Sequence, residues 1–293
     1  MPVNYSADRG AVTVDQLVKQ PKALEQLILP EKLEFLSDLI FSQGTTGDSG
    51  TVEYGITAKQ VEEARAGIVE EGAPIPSLDV SSMDKAMATA EEMGLGYHIT
   101  DKARRRNQGW VVDQGNRKIQ KGLLRLNAQR SLAAMNKAVT AYDLSMPSVG
   151  TGGWASGKNL RATIVAAANV ASEGEWDYNM TTILVNPATA NNILLLDDYA
   201  NVAPRERDNL NPWLNPTLNG VLGLNWLTTN LVDTDTAYIF EPKVMGVNLV
   251  EVPRYVDTER QESLRQEFVF GLESSVPVIT DPHSLLKITG ING

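Results

Sequence analysis

The stretch "TTILVNPATANNILLLDDY", residues 181–199, places a short apolar run, a turn and a helical pattern in immediate succession. Residues 182–185 predict a buried strand, because a continuous apolar run of this length ends at a turn signal. Asn186 and Pro187 then favour the start of a helix, since proline suits the first helical turn. A strand that passes directly into a helix predicts a compact α/β unit.

Short β-type runs separated by turn residues continue from this unit towards the C-terminus. They are "VLGLNWLTTN" (221–230), "TAYIF" (236–240), "GVNLVEV" (246–252), "EFVFG" (267–271), "VPVIT" (276–280) and "SLLKITG" (284–290). We expect the beginning and the end of this region to share sheets.

On the N-terminal side, residues 110–141 contain no proline and carry apolar side chains at spacings of three and four. This period predicts an α-helix of about 48 Å. The stripe consists of Leu124, Ala128, Leu132, Met135 and Val139, widened by Ile119, Leu123 and Leu126. Only one face is apolar and heptads are not sustained, so the helix is expected to brace an elongated domain rather than form a coiled coil.

Before this helix, residues 86–99 alternate with a period of two, which is typical of a strand, although their Ala and Glu content would also suit a helix. An extended strand of this length spans about 46 Å and must project as part of a hairpin. The tip would be the "GAPIP" turn of "EEGAPIP" (70–76), where prolines fix the backbone and hold Ala73 and Ile75 outward. The incoming segment, residues 57–67, has a capping-box pattern that favours a short helix.

Residues 1–50 show short helical patterns interrupted by Pro21 and Pro30 and end in the Gly- and Ser-rich "SQGTTGDSG". This composition predicts an arm with a flexible connection rather than a domain.

Charge is distributed unevenly along the chain, whose formal net charge is −10. Residues 53–92 hold nine acidic and three basic side chains, whereas residues 101–141 hold ten basic and two acidic ones. Blocks of opposite sign attract each other, so the acidic hairpin is expected near a basic helix. The net charge argues against a protein that wraps nucleic acid with its whole surface.

Several classes of protein are excluded or disfavoured by composition. With no cysteine, the chain has no disulfide, thiol nucleophile or cysteine metal site. It has no run of 18 apolar residues and no basic-plus-apolar leader, so we expect neither membrane insertion nor secretion, and a location in the cytoplasm of the cell that makes it.

The strongest motif for chemistry is "GGWASGKN", residues 152–159. Gly152, Gly157 and Lys158 fit a phosphate-binding loop, but Asn159 stands where Ser or Thr would bind magnesium, and no strong strand precedes it. An ordinary connector is therefore favoured over a nucleotide-using enzyme.

The two histidines, His98 and His283, are 185 positions apart and suit surface or packing roles better than a metal site. No Ser, His and Asp set has a recognisable motif. We therefore predict no enzyme, no cofactor and no metal.

The run Arg104, Arg105 and Arg106 lacks interleaved aromatic residues. It is expected to form a solvated face or a contact between subunits rather than a phosphate site.

The order of these parts carries a resemblance. The arm, the hairpin with "EEGAPIP", "GYHIT" leading into the long helix, "ILVNPATANNILLLDDY", "LNGVLGLNWLTTN" and the closing "RQEFVFGLESSVPVITDPHSLLKI" resemble the major capsid protein of tailed bacteriophages of the Hong Kong 97 type. The similarity spans roughly residues 50–290 and implies an α+β fold. The segments it implies are an N-terminal arm (1–51), an extended hairpin loop (52–98), a peripheral domain with the spine helix (99–149), an axial α/β domain (150–245), peripheral strands and loop (246–275), and closing axial strands (276–293).

The resemblance implies self-assembly through pentamers and hexamers into an icosahedral shell that encloses double-stranded DNA. The expected partners are other copies of the chain, a scaffolding protein, a portal, a decoration protein, and the DNA through weak non-specific contact. The shell would assemble in the host cytoplasm and form part of the virion. Because only about fifty residues precede the loop, the scaffold is expected to be a separate chain. The alternative is the shell of a cellular nanocompartment, encapsulin-like, around a cargo enzyme.

Some members of this family join subunits through Lys to Asn isopeptide bonds assisted by Glu. Lys59 and Lys85 lie in the loop, but residues 251–270 contain no Asn, so the cross-link is not carried over. The residues expected to contact a neighbouring subunit are in the hairpin tip and at the start of the basic helix. They are Glu70, Glu71, Ala73, Pro74, Ile75, Pro76, Arg104, Arg105 and Arg106.

Overall fold

The long helix predicted over residues 110–141 is present in the computed structural model of the chain, where it runs from Gly109 to Tyr142. The structure describes residues 13–29, 35–46, 50–56, 84–173, 178–196 and 221–292. The helices in these ranges are α1 (Val14–Val18), α2 (Pro21–Ile28), α3 (Leu36–Ile40), α4 (Asp101–Arg105), α5 (Gly109–Tyr142), α6 (Gly157–Glu173) and α7 (Pro187–Leu194).

The strands form two larger sheets and a separate hairpin. They are β1 (Ser42–Thr45), β2 (Thr51–Ile56), β3 (Asp84–Thr89), β4 (Glu91–Thr100), β5 (Ser145–Pro147), β6 (Thr182–Val185), β7 (Asn225–Thr228), β8 (Thr236–Phe240), β9 (Gly246–Gln261), β10 (Gln266–Ile279) and β11 (Leu285–Thr289). The first sheet has the order β1-β9-β10-β4 and the second has the order β5-β11-β8-β6-β7. Among the described strands, β2 pairs only with β3.

Local sequence accounts for the strand-to-helix unit at residues 182–194. All four residues of β6 are buried. The Asn186 side chain accepts a hydrogen bond from the Ala188 N–H at 2.9 Å, and Pro187 occupies the first turn of α7. This side chain satisfies one of the backbone donors that a helix start leaves free. The predicted boundary is confirmed.

The long helix α5 connects the two larger sheets. Its first half contributes Val112, Ile119 and Leu123 to a core beneath the four-stranded sheet. Its second half contributes Met135 and Val139 to a core beneath the five-stranded sheet. The opposite face of that sheet is covered by α6 and α7. The helix thus packs against both sheets, and the expectation that it braces an elongated domain stays a prediction.

The prediction of one continuous strand over residues 86–99 is wrong, because these residues form parts of two strands. The chain changes partners at Ala90, whose N–H donates to the Gly50 carbonyl at 2.7 Å. Residues before it pair with β2 and residues after it pair with β10. The alternating pattern continues through the break because both strands have the same period.

The predicted runs 267–271 and 276–280 also form one element, β10, instead of two strands. Its ladder with β9 shifts register between Leu272 and Ser275. A bulge of this kind lets a long strand absorb an extra residue without ending.

Three predicted segment boundaries fall within structural units. Residue 98 lies inside β4, residue 275 lies inside β10, and β5, predicted with the peripheral domain, pairs with β11 in the five-stranded sheet. The backbone hydrogen bonding of β4 and β10 continues on both sides of residues 98 and 275, so neither strand ends at the predicted boundary. The division into domains itself stays a prediction.

The described part of the predicted N-terminal arm packs against its own chain. Val14, Val18, Leu24 and Ile28 have no exposed surface and join the core beneath the four-stranded sheet. The Val14 N–H also donates to the Asn107 side chain at 2.8 Å.

Candidate assembly surfaces

The hairpin formed by β2 and β3 is the base of the predicted extended loop. Its register runs from Thr51 opposite Thr89 to Ile56 opposite Asp84. One exposed ion pair, Lys85 to Glu53 at 3.4 Å, joins the two strands. Exposed pairs contribute about 0–1 kcal/mol, so the backbone ladder supplies most of the hairpin's internal stability.

An apolar groove separates this hairpin from the body of the molecule, with a volume of about 430 Å³. The hairpin wall includes Tyr54, Ile56, Ala86 and Ala88, and the opposite wall includes Ala134, Ala138 and Tyr142 from α5 and Val276, Pro277, Val278 and Ile279 from β10. Burial, with a smaller contribution from Tyr142, raises the pKa of the Tyr54 hydroxyl. Met87 is 75% exposed on the hairpin. Apolar surface of this kind is typical of contact sites.

The six predicted contact residues of the tip lie outside the described residues. They are Glu70, Glu71, Ala73, Pro74, Ile75 and Pro76. Lys59 and the predicted short helix over residues 57–67 lie outside them as well.

Arg104 forms ion pairs within its own chain. Its Nη1 lies 2.6 Å from Glu267 Oε2, and its Nε lies 2.9 Å from Asp15 Oδ1. The hydrogen bond from Lys19 and the charge of Arg104 lower the pKa of Asp15, although partial desolvation opposes them. Arg104 therefore connects α1, α4 and β10 within its own subunit, and its contact with a neighbouring subunit stays a prediction.

Arg105 and Arg106 are exposed, unlike Arg104. Arg105 makes one long hydrogen bond, from its Nε to the Asp101 carbonyl at 3.4 Å. Both guanidinium groups are open to a partner, and their contact with a neighbouring subunit stays a prediction.

Arg254 is the centre of a polar cluster that sequence reasoning missed. It donates from Nη1 and Nη2 to the two carboxylate oxygens of Asp38 at 2.7 and 3.0 Å, and from Nε to Glu273 at 2.6 Å. Its guanidinium carbon lies 3.7 Å from the centre of the Phe35 ring. The Glu273 side chain is only 3% exposed, so Arg254 compensates a nearly buried charge.

The same cluster continues to the long helix. The Ser37 N–H donates to Asn127 Oδ1 at 3.1 Å, and Asn127 Nδ2 donates to Ser37 Oγ at 2.9 Å. The cluster therefore fixes the segment before β1 to both the sheet and α5. Its hydrogen-bonded members are up to 217 positions apart, and no local motif could have indicated it.

A second acidic cluster lies at the turn before β11. Tyr178 Oη donates to Asp281 Oδ2 at 2.6 Å, while Asp281 Oδ1 is buried and has no hydrogen-bond partner among the described residues. Burial raises the pKa of Asp281, Tyr178 and His283 oppose this shift, and Glu241 adds to it. The folded protein therefore retains a proton on this carboxyl more readily than the unfolded chain does.

The loop at residues 152–159 is occupied by contacts within the chain. Asn159 Nδ2 donates to the Thr151 carbonyl at 3.0 Å, and the Trp154 N–H donates to the Ile291 carbonyl at 2.7 Å. The Trp154 ring packs edge to face against Trp226, with centroids 6.4 Å apart, and Lys158 is exposed. These contacts support the connector interpretation.

The two histidines have separate aromatic neighbours. His98 stacks on Phe268 with ring centroids 4.7 Å apart, and His283 lies edge-on to Tyr142 at 6.4 Å. In the described ranges, no group of three or more His, Asp or Glu side chains could hold a metal ion. No helix in those ranges combines the length and apolar content needed to span a membrane.

Comparison with known families gives one match, which covers well over half of the chain. The model of a family described as phage capsid protein matches residues 84–288. The matched range includes α5, strand β3 of the hairpin and the strands of both larger sheets except β1, and it ends one residue before the end of β11. No curated protein has significant sequence similarity to the chain.

Solved structures share the fold at low sequence identity. The capsid structure of the cyanophage P-SCSP1u has a TM-score of 0.64 at 11% identity, covering 89% of both chains. A structure from Microbacterium phage Oxtober96 has a TM-score of 0.62 at 13% identity, covering 89% of this chain and 92% of that one. The virus-like particle from Pyrococcus furiosus has a TM-score of 0.57 at 10% identity, covering 90% of this chain and 97% of that one. These similarities establish a common fold of the Hong Kong 97 type.

Proposed function

The chain belongs to the phage capsid protein family, and from that premise we propose that it is the major head protein of a tailed bacteriophage. Copies of it assemble as pentamers and hexamers into an icosahedral shell, and the shell encloses double-stranded DNA. The observation that carries the proposal is the family match across residues 84–288. The role of this family is structural, and the chain acts as a building block rather than a catalyst.

The assembly we propose depends on surfaces that a single copy leaves uncovered. The groove beside the β2–β3 hairpin, exposed Met87, and Arg105 and Arg106 are such surfaces. A neighbouring copy covers them, and residues 70–76 of each copy rest on an adjacent one. Contacts between different surfaces of identical subunits generate closed rings, which pentamers and hexamers require.

Individual contacts in this shell are weak. Exposed ion pairs contribute about 0–1 kcal/mol each, so charge selects the partner and register while apolar burial and the number of contacts hold the shell. Reversible contacts also let a misplaced subunit leave before the shell closes.

We propose that the shell forms in the host cytoplasm with the help of a scaffolding protein. A portal occupies one vertex, and a decoration protein binds the outer surface. The DNA contacts the shell weakly and without sequence preference, because a genome must enter and leave.

The test is expression of the full chain followed by electron microscopy. Wild-type protein and the Ile75→Val variant, which keeps an apolar side chain at the tip, are expected to form particles. Ile75→Asp is expected to remain unassembled, because its charged tip cannot be buried against a neighbour. Circular dichroism of the unassembled variant checks that the subunit still folds, and particles of Ile75→Asp equal in yield to wild type would contradict the proposed contact.

The Pyrococcus furiosus virus-like particle supports a second candidate, a cellular nanocompartment around a cargo enzyme, because the similarity covers 97% of that chain. The contents of particles purified from the native source separate the two functions. Double-stranded DNA of genome length supports the phage head, whereas an enclosed enzyme without such DNA supports the nanocompartment.

A further inference from the structure

Four cationic side chains form a line on the exposed face of the long helix. Arg117, Lys118, Lys121 and Arg125 are all exposed, and we refer to them as the basic stripe. Residues spaced by four lie on the same helical face, so Arg117, Lys121 and Arg125 follow one another along about 12 Å of helix.

Among the residues that the structure describes, no carboxylate neutralises the stripe. Other cations of the described residues, including Arg104, Arg130, Arg254 and Arg260, form ion pairs with carboxylates. Within the same part of the chain, no member of the stripe forms an ion pair. Asp113 is the single acidic residue of α5, so the helix carries one carboxylate to balance the four cations of the stripe. Like charges spaced by four weaken a helix, so the row is unfavourable for the isolated subunit.

The surroundings of the stripe indicate the chemistry of its partner. Between Gln114 and Arg125, every exposed position of the helix is polar or charged. The centre of a protein interface is depleted of charged residues. Surfaces that contact nucleic acid are polar and strongly positive.

From these observations we infer that the basic stripe contacts phosphates of the double-stranded DNA enclosed by the shell. The inference rests on the proposed function and adds the residues that meet the DNA. It places this face of α5 on the inside of the shell.

The contact reads no bases and is weak. Lys and Arg contact phosphates, and the stripe itself has no aromatic side chain on which a base could stack. Trp110, 64% exposed, lies two turns before Arg117 on the same helix and adds at most one stacking contact. With up to four phosphates neutralised, the logarithm of the binding constant falls with the logarithm of salt concentration with a slope of about −3 to −4. The affinity then decreases about 10²-fold between 50 and 200 mM salt.

The experiment measures binding of the unassembled full chain to a fluorescein-labelled duplex of mixed sequence by anisotropy, across that range of salt. The test variant is the double substitution Lys121→Gln and Arg125→Gln. Glutamine favours helix and both positions are exposed, so folding is preserved and circular dichroism verifies it. The control is Lys158→Gln with Arg161→Gln, which removes two exposed charges from α6.

We expect the test variant to lose about two units of the salt slope and about 10²-fold in affinity at 50 mM salt. The control is expected to bind like wild type. A test variant that keeps the wild-type slope overturns the inference.

Electron microscopy of the same variants separates this inference from the proposed function. If the test variant forms particles but no longer binds DNA, the result supports both the shell function and the phosphate contact. If the wild type binds duplex through the stripe but never forms particles, the shell function fails and the phosphate contact stands. The inference is wrong if the wild type binds no duplex and the test variant alone fails to assemble. In that case the stripe contacts the acidic block, residues 53–92, of a neighbouring copy.

Discussion

Two glycines of the long helix are expected to respond in opposite ways to the same substitution. Gly115 and Gly122 both lie in α5 and both face β4 of the four-stranded sheet. Glycine costs about 1 kcal/mol relative to alanine inside a helix, so a glycine that is not required should gain that amount when it is replaced.

At Gly115, an added methyl carbon would lie 2.5 to 2.6 Å from three atoms of the Tyr97 ring. The ring is rigid and its hydroxyl donates to Asn116 Oδ1 at 2.7 Å, so it cannot move aside without losing that bond. Overpacking costs about 1–3 kcal/mol and the lost hydrogen bond costs about 1 kcal/mol. After the gain in helix propensity, Gly115→Ala is expected to destabilise the subunit by about 1–3 kcal/mol.

At Gly122, the added carbon would meet only the end of the Leu95 side chain, in close contact with its Cδ2. Leu95 is 42% exposed and can rotate into solvent. Gly122→Ala is therefore expected to be neutral or to stabilise the subunit by up to about 1 kcal/mol.

Urea unfolding of the unassembled chain, followed by circular dichroism, measures both variants. The expected difference between them is about 1–4 kcal/mol with unchanged dependence on urea concentration. A third protein, Gly115→Ala combined with Tyr97→Leu, removes the ring, and in that background the alanine should no longer destabilise. If Gly115→Ala is as stable as Gly122→Ala, the packing of this helix on the sheet is not as described.

Three further predictions concern other parts of the molecule. Arg254→Met leaves the nearly buried Glu273 without its cation and is expected to lower the free energy of unfolding, measured in urea, by about 3–5 kcal/mol. Glu91→Gln, at an exposed ion pair, is expected to lower it by less than about 1 kcal/mol. Equal losses in the two variants would contradict the importance of the cluster around Arg254. Because the pKa of Asp281 is raised, its stabilising contribution is present below the ordinary value of 3.8 and is lost as pH rises through the folded-state value. Asp281→Asn should therefore gain stability relative to wild type as pH rises above 3.8, and parallel pH profiles would refute this. Calorimetric titration with ATP is expected to give no binding to wild type or to Lys158→Ala. Binding to wild type that disappears in Lys158→Ala would support a nucleotide site at residues 152–159.

The features that sequence predicted are those encoded locally. The helix over residues 110–141 and the strand-to-helix turn at Asn186 and Pro187 each depend on side chains within a few turns of one another. Their period and capping chemistry act at short range, so they can be identified without knowledge of the tertiary structure.

The features that sequence missed depend on partners far away in the chain. The change of partner at Ala90 preserves the alternating pattern and therefore leaves no local mark. Arg254 meets Asp38 across 216 positions. Arg104 pairs with Glu267 across 163 positions of its own chain, and a charge block in the sequence does not specify such a partner.

The central claim is that one copy is complete only when neighbouring copies cover its exposed surfaces, and electron cryomicroscopy of the purified chain tests it most directly. We expect closed particles with fivefold and sixfold clusters, in which residues 69–80 of each copy lie against an adjacent subunit. A monodisperse single copy, both in solution and in its native source, with that segment folded onto its own body, would contradict the account.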